Sequence, residues 1–151
     1  MSLSDTGKFS CEKLSRRKIR ALVFHLLYAA EAFNYETPLE YIVDNFNRGF
    51  DMDIPLDSEM VNIAKSVIAE KDALDKMIEP LLDNWRLERI GLCTKLILRL
   101  SIWEILNTDT PPSVIINEAI ELAKCFSEKD AYRFVNGILD EICKKNDKEQ
   151  E

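Results

Sequence analysis

Residues 87–107 read LERIGLCTKLILRLSIWEILN, and this stretch decides the fold. From Leu92 onward apolar side chains fall on almost every side of a helix: Leu92, Leu96, Ile97, Leu98, Leu100, Ile102, Trp103, Ile105 and Leu106. A helix apolar all round is either a membrane span or the buried centre of a larger assembly of helices. No apolar run in the chain approaches the ~18 residues that a bilayer crossing needs. The pattern therefore predicts a buried central helix with other helices packed around it.

Working outward supports that reading. Thr108 to Pro112 is a turn, and helices are predicted from Ser113 and from Ser127. Upstream, Pro55 and Asp57-Ser58 open a long helix carrying Met60, Ile63, Ala64, Val67, Ile68, Leu74, Met77 and Ile78. Pro80 ends or kinks it, because its ring clashes with the preceding turn. Thr37-Pro38 opens a shorter helix, with Leu39, Ile42, Val43 and Phe46 on one side, that stops near Gly49. Ser15 is a good N-cap for a first helix running to about Asn34. The predicted class is all-α, a single compact bundle of six or seven helices over residues 14–145. Polar tails are expected at 1–13 and 146–151.

A chain of 151 residues with 46% hydrophobic and 31% charged residues can bury a core and is not composed like a disordered segment. Cys11, Cys93, Cys125 and Cys143 are scattered and there is one His, so no metal site or other cofactor is expected. Four free thiols and a start without a signal peptide's apolar stretch point to the cytoplasm. The formal charge is −7, which argues against nucleic-acid binding by bulk charge. Yet six Lys or Arg lie between Lys8 and Arg20 against the single Glu12. Any RNA contact should be local, or shared with a basic partner.

At 100° per residue, Ile19, Leu22, Val23, Leu26, Ala30 and Phe33 form a core stripe on the first helix. Arg17, Arg20, Phe24, Tyr28 and Glu31 share the opposite arc. Guanidinium groups interleaved with rings suit single-stranded RNA, by phosphate pairing and base stacking. The competing reading packs Phe24 and Tyr28 under another helix. On the last helix, Ala131, Phe134, Val135, Ile138, Leu139 and Ile142 form the apolar stripe, with Gly137 inside it. Close approach of a neighbouring helix is one reason for that glycine. Ser127-Glu128-Lys129-Asp130 matches a capping box, in which Asp130 reaches back to the Ser127 N–H. Tyr132 and Arg133 point away from the stripe. Arg99, within the buried helix, needs an ion partner, for which Glu104 and Glu118 are candidates. His25 has no nucleophile and orienting acid around it, and no phosphate loop is present, so catalysis finds no support. It reads as a surface or boundary residue.

Three blocks, in order, resemble the NusB family. They are Arg16-Arg17-Lys18-Ile19-Arg20 with Leu26-Leu27-Tyr28, then Leu98-Arg99-Leu100 with Trp103-Glu104-Ile105-Leu106, then Asn117 to Lys124 followed by Phe134-Val135-Asn136-Gly137. The resemblance covers roughly residues 14 to 143. It implies a transcription antitermination factor that is no enzyme. With NusE, a small-subunit ribosomal protein, such a factor binds boxA RNA and joins an antitermination complex on RNA polymerase, supporting ribosomal RNA transcription. It implies RNA contacts at Arg16, Arg17, Lys18, Arg20, Phe24, Tyr28, Asp130, Tyr132, Arg133 and Phe134. Phe134 is then expected at the edge of its stripe, partly exposed. A homodimer occurs in some family members. Where the family often carries an acidic residue, this chain has Thr94, a departure. Two other readings are a helical protein-interaction scaffold and an RNA-binding accessory domain like those of ribosomal RNA cytosine methyltransferases.

Overall fold

The structure, a computed structural model, describes residues 15–83 and 86–150. The tail expected at 1–13, with Cys11, lies outside the described residues. Among those described there are seven α-helices: α1 (Arg16–Ala32), α2 (Leu39–Phe50), α3 (Glu59–Ala69), α4 (Lys71–Ile78), α5 (Leu92–Asn107), α6 (Pro112–Phe126) and α7 (Ala131–Gln150). They divide into two compact units, one ending at Ile68 and the other beginning at Ala69.

In the first unit, the Ser15 hydroxyl caps α1 by accepting from the Lys18 N–H at 3.3 Å. The helix ends two residues earlier than the predicted Asn34. Phe33 is already the C-cap, and Asn34 and Tyr35 take left-handed backbone at φ 54° and 61°. Phe33 is therefore exposed and leaves the core stripe. The face that is buried instead carries Arg20, Val23, Phe24, Leu26, Leu27 and Ala30. Averaged at 100° per residue, the buried direction lies roughly 70° from the one expected. Leu39, Ile42 and Val43 of α2 and Met60, Val61, Ala64 and Val67 of α3 supply further buried side chains. Exposed ion pairs join α1 to α3 (Arg16 to Glu59, 3.7 Å) and α2 to α3 (Glu40 to Lys65, 3.9 Å). Such surface pairs contribute little. A file of rings matters more: Phe24 meets His25 edge-on at 5.6 Å, His25 stacks on Phe46 at 6.5 Å, and Phe46 lies 4.6 Å from Phe50.

In the second unit α5 packs against α4, α6 and α7. Ten of its residues are buried, including Leu96, Ile97, Leu98, Leu100 and Ile102, as the sequence predicted for a central helix. It begins at Leu92 rather than Leu87, because Leu87–Arg89 form a 3₁₀ turn and Gly91 is the N-cap. The long helix predicted from Ser58 to Pro80 is two helices broken at Glu70 (φ −102°, ψ 9°), with no Pro or Gly to mark the break. Pro80 does end the second, within a 3₁₀ turn at Glu79–Leu81. Pro112 occupies the first position of α6, where its missing N–H costs nothing. Residues 146–150, expected as a tail, continue α7.

The buried Arg99 takes a partner the sequence did not single out. Its Nε and Nη2 each donate to the Asp75 carboxylate at 2.7 Å, a two-pronged pair across α4 and α5. Neither Glu104 nor Glu118 supplies this fork. Helix α4 presents Asp75 with the right geometry for a planar guanidinium.

Two outcomes follow from these cores. Asp75→Ala removes the two-pronged partner of a buried guanidinium and should destabilise the chain by about 3 kcal/mol, read by urea unfolding. A loss below about 1 kcal/mol would mean that the fork is incidental. Burial pushes the His25 imidazole below its ordinary value. As the pH falls below about 6.5, the unfolded chain takes up the proton first, so stability present above that pH is lost. Melting between pH 7.5 and 5.5 should therefore fall more steeply for the native chain than for His25→Gln.

Candidate nucleic-acid interface

The first candidate surface is the start of α1. Arg16, Arg17 and Lys18 are exposed, and the first turn holds no acidic residue. Cations at the positive end of a helix dipole cost roughly 0.3–1 kcal/mol each at an exposed site, so helix stability does not explain them. At the positive end of the helix dipole they make a local positive field on a chain of net charge −7. Tyr28 is 44% exposed further along the helix.

Two residues expected on this face are not there. Phe24 is 2% exposed and Arg20 7%. The rotation of α1 brings Phe24 into the core beside His25, where its ring cannot meet a base while the helix is in place. Arg20 lies on the same inward side, its long stem suited to packing and its polar head engaged within the protein. Arg16, Arg17, Lys18 and Tyr28 remain as the accessible part of the predicted set.

The second surface lies where the α6–α7 turn approaches the start of α5. Helix α7 begins at Ala131, four residues later than the capping-box reading allowed. Ser127 is instead the C-cap of α6, its N–H bonded to the Ala123 carbonyl at 2.9 Å. Asp130 therefore does not cap that N–H. It stands exposed in left-handed backbone (φ 68°), its carbonyl accepting from Arg133. Tyr132 is held between two cations. Lys124 Nζ lies 5.0 Å from the ring centroid, and the Arg133 guanidinium 5.7 Å, with Arg133 Nε donating to the Tyr132 hydroxyl at 3.2 Å. Lys124 was missed because its role depends on α6 and α7 packing side by side.

Beside this cluster is a cavity of about 250 Å³, lined by Arg89, Ile90, Gly91, Thr94, Glu128, Ala131 and Phe134. Phe134 is half-buried in its wall, at the edge of the stripe as expected. Thr94 is buried and its hydroxyl donates to the Ser127 hydroxyl at 3.2 Å. The carboxylate near this opening comes from Glu128. It lies so close to Gly91 that a Cβ there would meet Glu128 Oε1 at 2.7 Å. A carboxylate over the first turn of α5 is favourably placed against the helix dipole. Burial first, and Glu128 second, push the Cys93 thiol up. Burial, then Asp147 and Asp140, do the same for Cys143. Neither thiol is activated.

Gly137 has no close neighbour: a Cβ built there meets nothing within 4 Å. Helix approach is not the reason for this glycine, which lies with Asn136 on the exposed side of α7.

The described residues form an all-helical fold with exposed cations beside aromatic rings on α1 and at the α6–α7 turn. A sequence model of the NusB family matches residues 17–144. The chain is 39% identical over 130 residues to the transcription antitermination protein NusB of Macrococcus caseolyticus, covering 86% of this chain and 94% of that one. It is 37% identical to the protein of the same name from Staphylococcus haemolyticus, covering 85% and 99%. The NusB structure from T. maritima superposes with a TM-score of 0.76 at 32% identity, over 87% of this chain and 92% of that one. The chain belongs to the NusB family. Among the described residues no helix is long and apolar enough to cross a membrane.

Since Gly137 faces open space, Gly137→Ala should stabilise the helix by roughly 1 kcal/mol, seen as a raised melting temperature. No gain, or a loss, would show that the position is constrained after all.

Proposed function

We propose that this chain is a cytoplasmic transcription antitermination factor, a non-enzymatic adaptor that binds boxA-type RNA together with NusE and joins the antitermination complex on RNA polymerase. The observation that carries the RNA reading is the exposed Arg16-Arg17-Lys18 group at the start of α1. It is a positive group placed against its own helix dipole on an acidic chain. Family membership supplies the context of antitermination. Tyr132 between Lys124 and Arg133 offers a second base-and-phosphate surface of the kind single-stranded RNA uses. The acidic remainder suits a basic ribosomal protein, which would share the phosphate contacts that this chain alone cannot supply. Asp130 and Phe134 line the neighbouring surface and are proposed to contact the RNA or NusE.

The test is fluorescence anisotropy of labelled boxA RNA titrated with the chain alone and with purified NusE, at two salt concentrations. Tight binding is expected with both proteins present and should weaken as salt rises. Arg16→Glu with Arg17→Glu should lower the affinity by about tenfold or more. Arg20→Glu is unsuitable, because that position is buried. Unchanged affinity in the Arg16, Arg17 variant removes α1 from the RNA path, and no binding in either mixture ends the boxA reading.

A further inference from the structure

Between Arg48 and Lys65 the chain carries Asp51, Asp53, Asp57 and Glu59 and no Lys or Arg. This segment leaves the end of α2 as an ordered loop. Asp51 turns it through left-handed backbone at φ 50°. The Asn47 side chain then clamps it, accepting from the Ile54 N–H at 2.9 Å and donating to the Ile54 carbonyl at 3.1 Å. Met52 and Ile54 are buried as anchors. The residues between and beyond them face out. Phe50 is 55% exposed and Leu56 50%, while Asp51, Asp53, Pro55 and Asp57 are exposed as well. Phe50 is also backed by Phe46, 4.6 Å away, so its ring is presented on a firm base.

Two large apolar side chains held out to water, one at the end of α2 and one on the clamped loop that follows it, are unfavourable and are candidate contact points. Their setting selects the partner. Carboxylates around the patch repel phosphate, which disfavours RNA, and they repel anionic lipid in the same way. They attract guanidinium groups, which pair with a carboxylate through two N–H bonds and stack on an aromatic face. We propose that the loop from Phe50 to Asp57 is a docking surface for an arginine-bearing protein segment. Phe50 and Leu56 take apolar side chains, and Asp51 and Asp57 receive the guanidinium groups. The clamp at Asn47 lowers the ordering cost of that contact. The inference goes beyond the RNA reading and does not depend on it.

The probe is a labelled peptide of alternating Arg and Leu, titrated against the whole chain by anisotropy, with amide shifts from 15N NMR to locate it. Binding should perturb residues 47–57, and the double variant Phe50→Ser, Leu56→Ser should weaken it by about tenfold while leaving the charge unchanged. Asp51→Asn with Asp57→Asn should weaken it comparably, and a peptide with Glu in place of Arg should not bind. Both variants change exposed side chains, and their melting curves check that the fold is retained. If the Phe50, Leu56 variant binds as well as the native chain, the attraction is diffuse charge and the proposal fails. It also fails if an oligouridine of matching length shifts the loop amides instead.

Discussion

Helix α5 is apolar on almost every side, and the second unit is organised by that constraint. Ten of its sixteen residues are buried, and α4, α6 and α7 pack against it. Apolar burial of this extent is the main favourable contribution to the fold. It also forces a solution for Arg99, which would otherwise hold a charge in a dry interior. The Asp75 fork solves it and ties α4 to α5 in one register. A pair of this kind contributes less through net attraction than through what its disruption would cost.

The start of α5 is held by the same packing. Gly91, Thr94 and the Ser127 turn meet there, and the space they leave is the cavity that Phe134 borders. Glu128 brings a carboxylate to that opening from the α6–α7 turn, while position 94 is a buried threonine. The shape of that surface is thus set by a turn between two helices, supported by a core several residues away. The cations of α1 follow a different logic, since they are exposed and sit where helix electrostatics disfavours them.

Much of this was legible in the chain itself. The Ser15 cap, the turn at Thr108 to Pro112, the helix stop at Pro80 and the buried α5 all rest on local chemistry that tertiary packing did not override. Arg16, Arg17, Lys18 and Tyr28 were read as exposed and are exposed. Phe24 and Arg20 were misplaced because Ile19, Leu22 and Phe33 were counted as core, whereas the first two are half-buried, Phe33 is exposed, and Phe24 and Leu27 take the inward side. The α7 start was misread because Ser127 carries a cap signature while its N–H still belongs to the last turn of α6.

The sequence by itself determined that the chain is all-helical, which helix forms the centre of its unit, and where positive charge gathers on an acidic chain. Those properties depend on periodicity, caps and composition within a few turns. Only the tertiary structure decided which way α1 faces, that Asp75 answers Arg99, and that Lys124 and Arg133 flank Tyr132. Each is a contact between side chains on different helices or beyond the reach of a periodic pattern, and helix rotation and register are set by packing.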